Sequence, residues 1–150
     1  MTKWNSNNIP DQRGKVVIIT GATSGLGKES AKVLAGKNAT VIMAVRNVQK
    51  GEQVAAEFKK TLPEAKIEVR KLDLGSLNSI KSFSEQILAD YNRLDILINN
   101  AGVMMCPFSK TEDGFEKQLG TNHLGHFALT GSLMPLLKKT EGSRVVATSS

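Results

Sequence analysis

Five short β-branched runs, separated by longer stretches with helical spacing, predict an α/β fold on a parallel sheet. Two further observations support it. The first run, Lys15-Val16-Val17-Ile18-Ile19-Thr20, is continuously apolar between its ends, as a strand covered by helices on both faces requires. A glycine-rich turn, Gly21 to Gly27, comes at once after it and leads into a helical stretch.

The elements run in order. Residues 1–13 form a polar, Asn-rich arm, and residues 14–150 read as part of one domain. The first strand covers 15–20. Residues 26–35 read as a helix with Leu26, Val33 and Leu34 toward one side. A second strand covers 39–45. A helix over 48–60 carries Val48, Ala55 and Phe58 at helical spacing and is closed by Pro63. Residues 66–71 alternate as a third strand. Leu77, Ile80, Phe83, Ile87 and Leu88 mark an amphipathic helix. The fourth strand covers 94–98. A long helix is expected over 113–139, with Phe115, Leu119, Phe127, Leu133 and Leu137 as core positions, before a fifth strand over 144–148. Alternation with right-handed crossovers makes this a Rossmann-type, doubly wound parallel sheet.

Composition narrows the function classes. Of 150 residues, 40% are hydrophobic and 23% charged, which fits a folded soluble domain and not a disordered chain. No apolar run approaches the roughly 20 residues needed to cross a bilayer, and the first residues carry no signal-like apolar stretch. The expectation is a cytoplasmic protein without a membrane partner. One cysteine, Cys106, excludes an internal disulfide; it is expected to be a buried small hydrophobe. His123 and His126 have no carboxylates arranged around them, so no metal site is expected; both are read as packing or hydrogen-bonding at the helix surface. The net charge of +6 is scattered, and aromatic residues are only 5%. That argues against nucleic acid and leaves room for a polyanionic small ligand.

The turn Thr20-Gly21-Ala22-Thr23-Ser24-Gly25-Leu26-Gly27 points to such a ligand. Gly21 permits a sharp turn. Gly25 lets backbone approach a pyrophosphate. Gly27 allows close packing of helix on sheet, and the unpaired N–H groups at the helix start face the phosphates. A plain glycine-rich turn would look the same in isolation; its place after the first buried strand raises the cofactor reading. The end of the second strand then carries no Asp or Glu to bind ribose hydroxyls. Val45 stands there, followed by Arg46, which suits a 2′-phosphate and so NADP(H) over NAD(H). The alternative is a solvated arginine.

The spacing G-x-x-x-G-x-G, with Asn99-Asn100-Ala101-Gly102 after the fourth strand, resembles the classical branch of the short-chain dehydrogenase/reductase family. The extended branch, with TGxxGxxG, fits less well. The resemblance runs from about Gly14 to Ser150 and implies sheet order 3-2-1-4-5. It implies that Asp73 accepts from the adenine amino group with the Leu74 backbone beside the ring; Asp73 could instead cap the next helix, as could Ser76. It also implies that Ala101 and Gly102 lie beside the cofactor ribose, while the amides of Asn99 and Asn100 tie strand ends together.

The segments Val103 to Glu116 and Asn122-His123-Leu124-Gly125-His126-Phe127 are similar to the retinol dehydrogenase subgroup. That subgroup reduces retinal-type and other apolar aldehydes or ketones with NADPH, and its animal members usually carry a membrane anchor. The polar arm here gives no reason to carry the anchor over. By the same resemblance Asn122 belongs to the catalytic set, its backbone holding a water on the proton path, and Ser150 positions the substrate carbonyl, with Ser149 a structural neighbour. Met104, Met105 and Phe108 line either an apolar substrate mouth or the core.

The family mechanism then needs a Tyr-x-x-x-Lys pair. Tyr91, the one tyrosine, is followed four residues later by Asp95 and is read as structural. The expectation is thus the cofactor half of a carbonyl/alcohol oxidoreductase, incomplete on its C-terminal side, inactive alone and oligomeric when complete. The alternative is a dinucleotide-binding module without catalysis.

Overall fold

The computed structural model describes residues 3–149. Its five strands are β1 (Val16–Thr20), β2 (Thr40–Val45), β3 (Lys66–Lys71), β4 (Ile96–Asn99) and β5 (Arg144–Ala147). They form one parallel sheet in the order β3-β2-β1-β4-β5, the order expected. Helices α1 (Gly25–Gly36), α2 (Val48–Thr61) and α3 (Leu77–Asp90) come after the first three strands. Between β4 and β5 lie a single helical turn, α4 (Lys117–Leu119), a π-helical turn (Gly120–Leu124) and α5 (Gly125–Lys139).

The apolar run of β1 is explained by its two covered faces. Val17 and Ile19 pack with Ala31 and Ala35 of α1 and Val54, Ala55 and Phe58 of α2. Val16 and Ile18 pack on the other face with Ile80, Phe83 and Ile87 of α3 and Leu129, Leu133, Leu136 and Leu137 of α5. Successive side chains alternate between the faces, so a strand buried on both needs an apolar residue at every position. The lateral edges differ. β3 begins and ends on exposed lysines, Lys66 and Lys71, while β5 leaves Val145 and Val146 exposed.

Asp95 fastens the N-terminal ends of three strands. Its Oδ2 accepts from Val16 N–H at 2.9 Å, its own N–H donates to Val16 O at 2.9 Å, and its carbonyl accepts from Arg144 N–H at 2.8 Å. Arg93 closes on the same carboxylate, with Nε 2.8 Å from Oδ2. Burial alone would raise the Asp95 pKa, but Arg93 and the Val16 N–H outweigh it and hold the carboxyl below its ordinary value.

Several sequence expectations are corrected. The helix expected over 113–139 is interrupted by the π-helical turn, and Phe115, Leu119 and Phe127 are exposed. His126, not Phe127, takes the inward position ahead of Leu129 and Leu133, at 7% exposure. Leu26 is 71% exposed and does not face the core. Val48, Leu77 and Leu88 are also exposed; the first two are the opening residues of α2 and α3, where the chain has only begun to close on the sheet. Cys106 is half-buried, and Met104, Met105 and Phe108 are exposed, which removes all three from the core. The arm is fastened by Gln12, whose N–H donates to Lys37 O at 2.7 Å.

Candidate dinucleotide groove

The C-terminal ends of β1, β2 and β4, with the turns after them, form the rim of a groove. Gly21 sits at φ +65°, and a Cβ there would lie 2.8 Å from Ala101 Cα, so both conformation and space demand glycine. A Cβ on Gly27 would lie 2.3 Å from Gly21 O and 2.5 Å from Asn100 Nδ2, which shows α1 seated directly on the turn. Gly25, at φ +55°, has no other atoms within 4 Å of its missing Cβ and faces open space. The Ser24 hydroxyl makes no capping bond to the helix, and no acidic residue occupies the first turn of α1. The first amides of α1 therefore keep their positive field for an anion.

Thr20 organises the junction between β1 and β4. It is fully buried, and its Oγ1 accepts from the N–H groups of Asn100 and Ala101, both at 2.9 Å. The Asn100 amide donates back to Thr20 O at 3.2 Å. Asn100 thus ties two strand ends together as expected, whereas Asn99 reaches across to a helix, donating to Thr130 Oγ1 at 2.9 Å. Asn122 clamps the segment after β4: its Oδ1 accepts from Val103 N–H and its Nδ2 donates to Val103 O, both at 2.8 Å. The role expected for Asn122 lay in its backbone; what the structure shows is its side chain holding the groove wall.

Two hollows share this rim. One, about 320 Å³, is lined by Gly21, Thr23, Arg46, Asn47, Lys50 and Asp73, among others including Leu74. The other is a cleft of about 870 Å³ that takes in Leu26, Asn122, His126, Phe127, Thr148 and Ser149, together with Asn99 to Met104. Ala101 and Val103 line both. Ser150 lies outside the described residues.

Asp73 does not cap α3; Ser76 does, accepting from Ser79 N–H at 3.2 Å. Asp73 Oδ1 accepts from Gly75 N–H at 2.9 Å within its own turn. Arg46 is exposed, and its carbonyl accepts from Lys71 Nζ at 2.5 Å, so Arg46, Lys50 and Lys71 surround the end of β2 with positive charge. Tyr91 donates to a Glu68 carboxylate oxygen and lies against Arg70, whose guanidinium is 5.6 Å from the ring centroid. Burial and Glu68 push its pKa up to about 12, and it lines neither hollow. Among the described residues no cluster could hold a metal ion, and no helix is long and apolar enough to cross a membrane.

Sequence reasoning missed Asn47, Lys50, Val103 and Thr121 as groove residues, and the part Thr20 plays beneath the groove in joining β1 to the segment after β4. Thr20 carried a signal, as the polar residue closing an apolar, doubly covered strand. Val103 and Thr121 carried none, because chain folding alone brings them to the rim.

A glycine turn under a helix N-terminus, on a parallel sheet of this order, is the arrangement of the Rossmann-type α/β fold. The short chain dehydrogenase family model matches residues 15–150, and the chain belongs to that family, in its retinol dehydrogenase-like subgroup. Human retinol dehydrogenase 12 is 55% identical over 137 residues, and human retinol dehydrogenase 11 is 54% identical over the same length. Each match covers 91% of this chain and 43% of the relative, so the chain spans less than half the length of these relatives. A solved structure of an uncharacterised protein from Mycobacterium paratuberculosis is 48% identical at a TM-score of 0.80, covering 90% of this chain and 47% of that one. A structure from Escherichia coli CFT073, described as a short chain dehydrogenase complexed with NADPH, is 31% identical at 0.80, covering 93% of this chain and 60% of that one.

Proposed function

We propose that this chain is the cofactor-binding part of an NADP(H)-dependent oxidoreductase interconverting a carbonyl and an alcohol. The observation that carries the reading is the smaller hollow, whose lining includes Arg46, Lys50, Asp73 and Leu74. A 2′-phosphorylated adenosine matches that lining. Arg46 offers paired donors to the phosphate, Lys50 adds charge, and Asp73 accepts from the adenine amino group. The first amides of α1, beside Ser24 and Gly25, hold the pyrophosphate, and Ala101 and Gly102 border the nicotinamide ribose. Bound NADP(H) supplies or accepts the hydride.

The rest falls to side chains around the larger cleft. Its apolar members, Leu26, Met104 and Phe127, are all exposed there and suit an apolar aldehyde or ketone. Retinal-type substrates, in keeping with the names of the relatives, are the first to test. Tyr91 bonds to Glu68 and lines neither hollow, so it is not the proton donor in this reading; the family resemblance implies a Tyr-x-x-x-Lys pair for that step.

Arg46→Ala tests the cofactor preference. In the full-length protein it is expected to weaken NADPH roughly tenfold or more, the worth of one or two charge-assisted hydrogen bonds. NADH binding should change little. Equal affinity for both cofactors in the unsubstituted protein, with no effect of Arg46→Ala, contradicts the reading. Met104→Asp should raise the KM for an apolar aldehyde and leave NADPH binding unchanged; an unchanged KM removes Met104 from the substrate mouth.

A further inference from the structure

His126 is a buried imidazole that the proposed chemistry does not use. Its Nε2 lies 2.8 Å from Thr20 Oγ1, and its Nδ1 lies 2.9 Å from Asn122 O. The direction of both bonds is set by Thr20. A hydroxyl oxygen has two lone pairs and one proton. Both lone pairs are taken by the N–H groups of Asn100 and Ala101. The proton has two candidate acceptors, Ile98 O at 3.5 Å and His126 Nε2 at 2.8 Å, and the shorter contact wins. Nε2 is then the acceptor, and Nδ1 carries the ring proton and donates it to the Asn122 carbonyl.

We propose that His126, as the neutral Nδ1–H tautomer, is a positioning residue that locks Thr20 and Asn122 together and so fixes both walls of the groove. The proposal rests on reading the groove as a dinucleotide site. One chain of bonds runs from the Asn100 and Ala101 amides through Thr20 and His126 to the Asn122 carbonyl. The same Asn122 grips Val103, which lines both hollows. A π-helical turn around Asn122, an irregular backbone piece, is thereby bonded to the rigid centre of the sheet.

The lock has a forbidden state. A cationic His126 would carry a proton on Nε2, facing a Thr20 oxygen with no free lone pair, and the contact would become donor against donor. Burial disfavours that cation and pushes the His126 pKa down, against an opposing pull from the Asn122 carbonyl. Of the other residues lining the cleft from β4, the π-helical turn, α5 and the end of β5, only His123 is titratable, and none is a carboxylate that would stabilise the cation. Acid is therefore expected to open the lock below the ordinary histidine range.

Two measurements test this. In the full-length protein with ¹⁵N-labelled histidine, NMR should show His126 neutral at about pH 7 with the proton on Nδ1, remaining neutral below its ordinary pKa of about 6.5. A proton on Nε2, or a cation at neutral pH, overturns the proposal. NADPH titration should show His126→Phe, which keeps the ring volume and loses both bonds, binding roughly tenfold more weakly. His126→Gln, whose amide oxygen can still accept from Thr20, should recover part of that loss. It should also lack the acid weakening seen with histidine. Unchanged affinity in His126→Phe, or the same acid weakening in His126→Gln, overturns the proposal. Absence of NADPH binding in the unsubstituted protein refutes the cofactor reading instead, and the tautomer measurement decides the lock without it. If His126→Phe fails to fold, the tautomer and the glutamine variant still decide.

Discussion

Gly27→Ala is expected to destabilise the protein by about 3 kcal/mol and to weaken dinucleotide binding in the same variant. The added methyl would sit 2.3 Å from the Gly21 carbonyl oxygen and 2.5 Å from the Asn100 amide. Neither is the loose end of a flexible side chain. Gly21 O belongs to a tight turn, and Asn100 Nδ2 is bonded to Thr20 O. Relief requires α1 to lift from the turn, which moves the first amides of the helix away from where a phosphate would lie. Gly25→Ala should show a different balance: a smaller loss of stability, with NADPH binding still weakened because the methyl faces the space proposed for the pyrophosphate. Its methyl would meet nothing in the protein, so its stability cost is backbone strain at φ +55°, roughly 1–2 kcal/mol. Urea unfolding with a parallel NADPH titration checks both variants. A Gly27→Ala protein as stable as its parent would mean that α1 does not rest on the turn.

Asp95→Ala is expected to cost about 2–3 kcal/mol, mainly by leaving the Val16 N–H buried without an acceptor. The Arg93 pair contributes less to that figure, because Arg93 is 46% exposed and screened by water. Asp95→Asn should cost about 1 kcal/mol, since an amide oxygen still accepts from Val16. The pH dependence has a definite sign. The folded Asp95 pKa is lowered, so its contribution is fully present above the unfolded value of about 3.9. It is lost as pH falls from there through the folded value. Melting temperature against pH should therefore fall less steeply in acid for Asp95→Asn than for the parent. Parallel curves would show that the carboxylate is not held in its charged form.

The sheet was legible because a strand buried on both faces leaves little choice of residue, and 16–19 and 41–45 are apolar throughout. The glycine turn was legible because Gly21 and Gly27 answer to steric limits that no other residue meets. The region after β4 was less so. An uninterrupted helix over 113–139 would set Phe115, Leu119 and Leu133 on one inward stripe. The π-helical turn at Gly120–Leu124 takes up an additional residue and rotates α5 relative to the turn before it, so the stripe breaks. Phe127 was expected inside on hydrophobicity alone, yet it lines the cleft, and the inward place beside it goes to His126. An apolar ring there would have left the Thr20 proton without its short acceptor. Leu26 misled in the same way, as an apolar residue placed at a groove and not in the core.

The order β3-β2-β1-β4-β5 also sets a timetable for synthesis. β1 meets β2 early, but Val16 waits for Asp95, 79 positions along the chain, before its other edge is closed. At ribosomal speeds of about 5–20 residues per second, that edge stays open for roughly 4–16 seconds. It belongs to the run Val16 to Ile19, the kind of short apolar strand that pairs readily with a neighbouring chain. The strand at the centre of the finished sheet is thus the most vulnerable one during its making.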